Sequence, residues 1–252
     1  MKRIALVTGA TSGIGEAASV MLAKKGFDLI VTGRREERLQ PLQQKLETFG
    51  AQVLPLCFDV RKEEEVASAL ENLPDEWKTI DVLMNNAGLA AGLDPIQEGR
   101  IENWNRMIDT NIKGLLYVTR HISPGMVARR KGHIINIGSI AGKEVYPNGN
   151  VYCATKHAVE ALTKGMRIDL LPYHIKVTQI CPGAVETEFS DVRFDGDKAR
   201  AAEVYKGYES LVAEDIAECV WFVVSRPDHV NINDLIVMPT AQASSMFFHK
   251  EG

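Results

Sequence analysis

Cysteine is scarce: four residues in 252, and Cys57, Cys153, Cys181 and Cys219 lie far apart with no CxxC pair and no zinc-ligand histidine spacing. That excludes a disulfide-stapled scaffold or a zinc module and leads us to expect free thiols in a reducing cytoplasm. Long apolar runs are also missing. The one behind Met1-Lys2-Arg3 stops at Thr8-Gly9, too short for a signal peptide, and none approaches the ~18 residues of a membrane helix. Neither sign of charge dominates. With 29 Lys+Arg against 33 Asp+Glu the net charge is −4, and no long basic run offers nucleic acid a binding field. No repeat or Pro/Ser-rich linker divides the chain. What is present is 45% hydrophobic residues, enough for a large core, so a soluble single domain over residues 1–252 is expected.

Short β-branched runs alternate with longer stretches of helical period. Strands are predicted at residues 3–8, 28–32, 52–57, 82–85, 133–137, 176–180 and 235–238. Helices are predicted at 14–25, 36–49, 62–73, 101–130, 151–171 and 213–225, the fourth interrupted by Pro124-Gly125. This order implies βαβ units in an α/β, doubly wound, seven-stranded parallel sheet with helices on both faces. Residues about 183–212 break the rhythm with Gly183, Gly196 and Gly207 and no clear strand. Such an insertion usually closes over a ligand.

The first strand runs into Thr8-Gly9-Ala10-Thr11-Ser12-Gly13-Ile14-Gly15 and then into helix. Glycines there let the backbone approach a pyrophosphate, which the free N–H groups of the helix start attract. The spacing is GxxxGxG, not GxGxxG, and the glycines alone also suit a structural turn. The end of the second strand sorts dinucleotides: an acid there bonds ribose hydroxyls, whereas an arginine accommodates an extra phosphate. Here it reads Gly33-Arg34-Arg35, so NADP(H) is expected; the same arginines also suit a solvated helix start with Glu36 and Glu37.

Tyr152 and Lys156 stand four apart in a helical stretch and share a face. A desolvated ammonium ~5 Å away at an effective dielectric of ~20 favours the phenolate by about 3 kcal/mol, roughly two pKa units. Tyr152 would then serve as general acid for a ketone and general base for an alcohol. Ser139 follows the strand at 133–137, at the carboxyl end where doubly wound sheets bind ligands. Asn111 lies in the preceding long helix, and Asn85-Asn86-Ala87-Gly88 closes the fourth strand.

Together these residues, with Asp59-Val60 and Pro182-Gly183 followed by Thr187, resemble the short-chain dehydrogenase/reductase family of Rossmann-fold oxidoreductases over essentially the whole chain. The resemblance implies that Tyr152 is the proton donor and acceptor, that Ser139 holds the substrate oxygen, and that Lys156 binds the nicotinamide ribose and tunes Tyr152. Asn111 would support a proton relay behind the lysine. It further implies cofactor contacts from Gly9, Thr11, Ser12, Gly13, Ile14, Gly15, Arg34, Arg35, Asp59 (adenine), Val60, Asn86, Ala87, Gly88, Pro182, Gly183, Val185 and Thr187 (carboxamide), besides Tyr152 and Lys156. The NADP-using branch often has a basic residue within the glycine turn, where this chain has Ser12.

Several stretches, including Thr187-Glu188-Phe189-Ser190-Asp191-Val192-Arg193-Phe194, are similar to the NADP-dependent 3-hydroxy acid dehydrogenases that act on serine and L-allo-threonine. A substrate carboxylate in a partly dry pocket needs a cation, and Arg193 and Lys143 are the candidates. Alternatives are a broad NADPH carbonyl reductase, or a non-catalytic NADP(H) sensor that would have no use for Ser139, Tyr152, Lys156 and Asn111. The helix faces at 101–130 and 151–171 are those the family uses to assemble, which implies a homotetramer. The apolar tail at 244–248 is expected to pack on a partner subunit, with an intrachain contact as the alternative.

Overall fold

Each strand alternates its apolar side chains between two buried faces, which is why the runs read as continuously hydrophobic. The computed structural model describes residues 2–251. Its strands are β1 (Ile4–Val7), β2 (Asp28–Gly33), β3 (Val53–Cys57), β4 (Ile80–Asn85), β5 (His133–Ile137), β6 (Lys176–Pro182) and β7 (Asp234–Val237). They pair in parallel in the order β3-β2-β1-β4-β5-β6-β7. The helices are α1 (Gly13–Lys24), α2 (Glu36–Glu47), α3 (Glu63–Glu71), α4 (Ile101–Ile108), α5 (Leu115–Arg129), α6 (Asn150–Leu170), α7 (Phe189–Arg193), α8 (Lys198–Glu203) and α9 (Ala213–Val224).

On one face Val7, Leu29, Val31, Met84, Ile135 and Ile180 pack with Leu22 of α1, Leu39 of α2 and Ile216 of α9. On the other, Leu6, Ile30, Leu83, Ile134 and Val177 pack with Val66 of α3 and Val118 and Met126 of α5. Strand order reverses between β1 and β4, and at such a reversal the connections leave in opposite directions and open a crevice at the strands' carboxyl ends. No helix among the described residues is long and apolar enough to cross a membrane.

Two expectations change here. The long helix at 101–130 does not break at Pro124-Gly125, which lies inside α5. Packing of Val118, Ile122 and Met126 in the core offsets the backbone hydrogen bond that proline removes. The interruption is instead a π-helical turn, Asp109–Gly114, whose extra residue turns Asn111 into the interior, where it is 2% exposed. The segment at 183–212 has no strand but does form α7 and α8, with its ends joined by one bridge between Val185 and Leu211.

Candidate functional site

The crevice widens into a cavity of about 560 Å³. Because β2 and β5 lie on opposite sides of β1 and β4, the strand-end arginines flank one side and Ser139 and Tyr152 the other.

The glycine turn is built for close approach. Gly9 has φ +64°, and a Cβ there would meet the Cα of Ala87 at 2.9 Å. The Asn86 amide donates to the carbonyls of Thr8 (3.0 Å) and Gly9 (3.1 Å), while Thr8 Oγ1 accepts from the N–H groups of Asn86 and Ala87. Gly15 does not line the cavity as expected: it is pressed against the Gly9 carbonyl, where any side chain would collide. The other expected cofactor contacts all line the cavity. Ser12 stands at the N-cap of α1 without capping it; its hydroxyl accepts from Arg35 Nη2 at 2.9 Å, and Thr11 Oγ1 does so at 3.3 Å. The first turn of α1 is therefore open to an anion.

Arg34 lies 3.9 Å from Asp59. Burial alone would raise the Asp59 carboxyl pKa, but hydrogen bonds from Arg61 outweigh it and hold the group below the usual carboxylate range. A glycine cradle, an uncapped helix start and a forked guanidinium beside two hydroxyls fit a phosphorylated dinucleotide, whose additional phosphate Arg35 and Ser12 could hold.

Ser139 follows β5, and its Oγ accepts from the Ala141 N–H at 3.1 Å. Tyr152, in the first turn of α6, meets the edge of Phe189 at 5.7 Å between ring centroids. The expectation that Lys156 lowers the Tyr152 pKa is corrected here. Burial, and then the neighbouring Tyr146 phenol, push Tyr152 above its ordinary range, against weaker downward pulls that include Ser139 and Arg193. Lys156 is itself desolvated, which brings its pKa down to about 8; its Nζ donates to the Ile137 carbonyl at 3.0 Å and lies 5.9 Å from the Tyr152 ring centroid. Burial disfavours the charged form of the Lys156 amine and, in the same way, the charged form of the Tyr152 phenol.

Asn111 does not line the cavity. Its amide exchanges hydrogen bonds with the Leu89 backbone (2.8 and 2.9 Å) and donates to Thr155 Oγ1 at 3.0 Å. A Cβ on Gly88 would lie 3.3 Å from Asn111 Oδ1 and 3.6 Å from Lys156 Nζ, so both groups converge behind that glycine.

Of the two candidate cations for a substrate carboxylate, one reaches the cavity. Arg193, ending α7, donates to the Tyr146 hydroxyl at 3.1 Å, stands 5.8 Å from the Tyr152 ring centroid and shares backbone contacts with Gly92. Lys143 does not line it. It is held by Glu160 of α6 at 3.1 Å and by Asp234 of β7, and these two carboxylates satisfy it away from the reacting groups. Within the tail, Phe248 bridges to Gln242, lies tilted against Tyr208 at 5.1 Å between ring centroids and lines the cavity, an intrachain contact, whereas Met246 and Phe247 are exposed.

Sequence reading missed the wall formed by Leu93, Tyr146, Phe189 and Phe194, and Glu188, which reaches Arg35 and Arg38. The i,i+4 spacing of Phe189 and Arg193 was the one local signal available.

The short chain dehydrogenase family profile matches residues 3–198. The NADP-dependent 3-hydroxy acid dehydrogenase of Salmonella typhi is 49% identical over 241 residues, 95% of this chain and 96% of that protein. Sulfoacetaldehyde reductase 2 of Chromohalobacter salexigens is 44% identical over 248 residues, 98% of each. The closed form of a serine dehydrogenase complexed with NADP+ superposes with a TM-score of 0.93 at 46% identity, covering 99% of this chain and 100% of that one.

Proposed function

The chain belongs to the short-chain dehydrogenase family, and from that premise we propose that it is an NADP-dependent oxidoreductase interconverting short 3-hydroxy acids and their 3-oxo acids. The observation that carries this reading is that Ser139, Tyr152 and Arg193 line the same cavity as the glycine turn and Arg35.

When bound, the nicotinamide supplies a hydride donor or acceptor at its C4 position. In reduction Tyr152 gives its phenolic proton to the substrate oxygen; in oxidation it removes the hydroxyl proton. Burial keeps the phenol protonated, the form that reduction needs. Ser139 donates to the same oxygen and fixes its direction. Lys156, titrating near neutrality at about 8, returns the proton, with Asn111 behind Gly88 holding the relay in place. Arg193 pairs with the substrate's anionic group. Two relatives are named for substrates whose anionic group stands one carbon removed from the reacting carbon, a 3-hydroxy acid and sulfoacetaldehyde. A 2-amino-3-hydroxy acid such as serine would yield a 2-amino-3-oxo acid able to lose carbon dioxide unaided.

The test is a set of initial rates with NADP⁺ over 2-hydroxy and 3-hydroxy acids, including serine and both threonine diastereomers, each beside its methyl ester. Turnover of the 3-hydroxy acids with poor turnover of the esters is expected. Equal rates for acid and ester would favour a broad carbonyl reductase, and cofactor binding without turnover of any alcohol or carbonyl would favour a sensor. Arg193→Leu should raise KM for the acid by roughly ten- to a hundredfold, the value of a charge-assisted pair, and leave an uncharged ketone unaffected. Arg35→Gln should weaken NADPH binding by about tenfold or more while sparing NADH; equal loss of both would remove Arg35 from phosphate recognition.

Assembly as a homotetramer belongs to the same reading. Ile101, Leu116, Ile168 and Leu171 are exposed on α4, α5, α6 and the turn that follows α6, and light scattering should return about four times the 27.9 kDa chain mass. Four free thiols fit a reducing cytoplasm.

A further inference from the structure

Glu188 sits in the 183–212 segment, the expected lid over the cleft, directly after Thr187, whose side chain lies 3.2 Å from where a Cβ of Gly13 would stand. That contact seats Glu188 beside the phosphate end of the cleft. Its two oxygens are divided between two arginines: Oε2 accepts from Arg35 Nη1 at 2.9 Å and Oε1 from Arg38 Nη1 at 2.6 Å. The other terminal nitrogen of Arg35 is the one bonded to Ser12 and Thr11. A carboxylate therefore holds one edge of the guanidinium whose remaining edge faces the glycine turn. Carboxylate and phosphate are both oxyanions that use the same forked N–H pairs, so a second oxyanion reaching Arg35 meets a site already engaged.

We propose that Glu188 moderates the affinity for the phosphorylated cofactor by competing with the phosphate on the adenosine ribose for Arg35, and that Arg38 holds Glu188 in the competing position. This rests on the reading that the cleft takes NADP(H). A dinucleotide carrying that phosphate has to displace the carboxylate, and thereby loosens the lid at α7. One without it leaves both ion pairs intact. Glu188 thus tempers affinity for NADP(H) and leaves NAD(H) untouched, an effect that follows from charge rather than shape.

Both ion pairs are partly exposed, about two-fifths for each side chain, so removing the competitor is expected to tighten binding only modestly, by about fivefold. The probes are 2′,5′-ADP, which carries the phosphate, and 5′-AMP, which lacks it, titrated calorimetrically into the purified chain. Glu188→Gln preserves size and removes charge, and Glu188→Ala removes the side chain's reach altogether. Both variants should bind 2′,5′-ADP about fivefold tighter than the wild type, with 5′-AMP unchanged and the gain shrinking as salt rises. An unchanged or weaker 2′,5′-ADP affinity would overturn the proposal and make Glu188 a clasp that stays in place. Equal tightening of both probes would overturn it too, since it would report lid opening alone. Wild-type protein that fails to prefer 2′,5′-ADP over 5′-AMP would instead bring down the NADP reading, and the proposal with it.

Discussion

Replacing Tyr152 with phenylalanine is expected to cut turnover by about 10³-fold or more, the upper part of what one positioned acid–base group contributes, while NADPH binding stays intact. The substitution removes one oxygen from a side chain whose ring remains packed on Phe189 and among Leu89, Met107 and Ala141. The loss should fall on kcat, because the phenol's proton is needed at the reacting oxygen and the apolar wall of the pocket is preserved. Steady-state rates in both directions, beside a fluorescence titration with NADPH, check it. Retained turnover would take Tyr152 out of the mechanism.

The direction of pH dependence follows from the same burial. Since desolvation holds the phenol in its acid form, reduction begins from the competent state at neutral pH and oxidation gains as pH rises. Lys156, depressed to about 8 by burial, should add an inflection near that value in the oxidative profile, absent from Lys156→Met in whatever activity remains.

The second large effect concerns stability. His133 opens β5, where it is 2% exposed; its Nε2 meets Thr178 Oγ1 at 2.8 Å, and Nδ1 has no partner among the described residues. Burial, reinforced by Lys176 and Arg3, lowers its pKa to about 3, against ~6.5 for an unfolded histidine. Between these values the unfolded chain binds the proton and the folded chain does not, so stability is complete above about pH 6.5 and drains away as pH falls toward 3. Denaturant unfolding at pH 7 and at pH 4 should show the wild type losing roughly 3 kcal/mol more than His133→Gln, from about 1.4 kcal/mol per pH unit across the window. Parallel losses in the two proteins would show that His133 is not the group responsible.

His133 also illustrates how the reading divided. Its strand was predicted with the observed limits, 133–137, because five residues of a central strand advertise themselves by composition. That its imidazole must stay neutral is invisible in the sequence, since Lys176 is 43 residues away in the chain yet pairs with it across β5 and β6. Asn111 was picked out by its place among the motifs. The π-turn that aims it inward carries no proline or glycine pair to announce it, and Pro124-Gly125 drew the break to the wrong turn. Lys143 looked available because Glu160 and Asp234 lie 17 and 91 positions downstream.

Local spacing was sufficient for the parallel α/β architecture, the glycine turn, the strand-end arginines and the Tyr152–Lys156 pair, because strand and helix periods and four-residue neighbours act within a few bonds of each other. Folding in three dimensions settled the rest: which cation faces the cavity, which carboxylate occupies Arg35, and where the proton sits on Tyr152, Lys156 and His133. Those depend on desolvation and on charges brought together from distant parts of the chain, and both exist only once the sheet has closed and water has left.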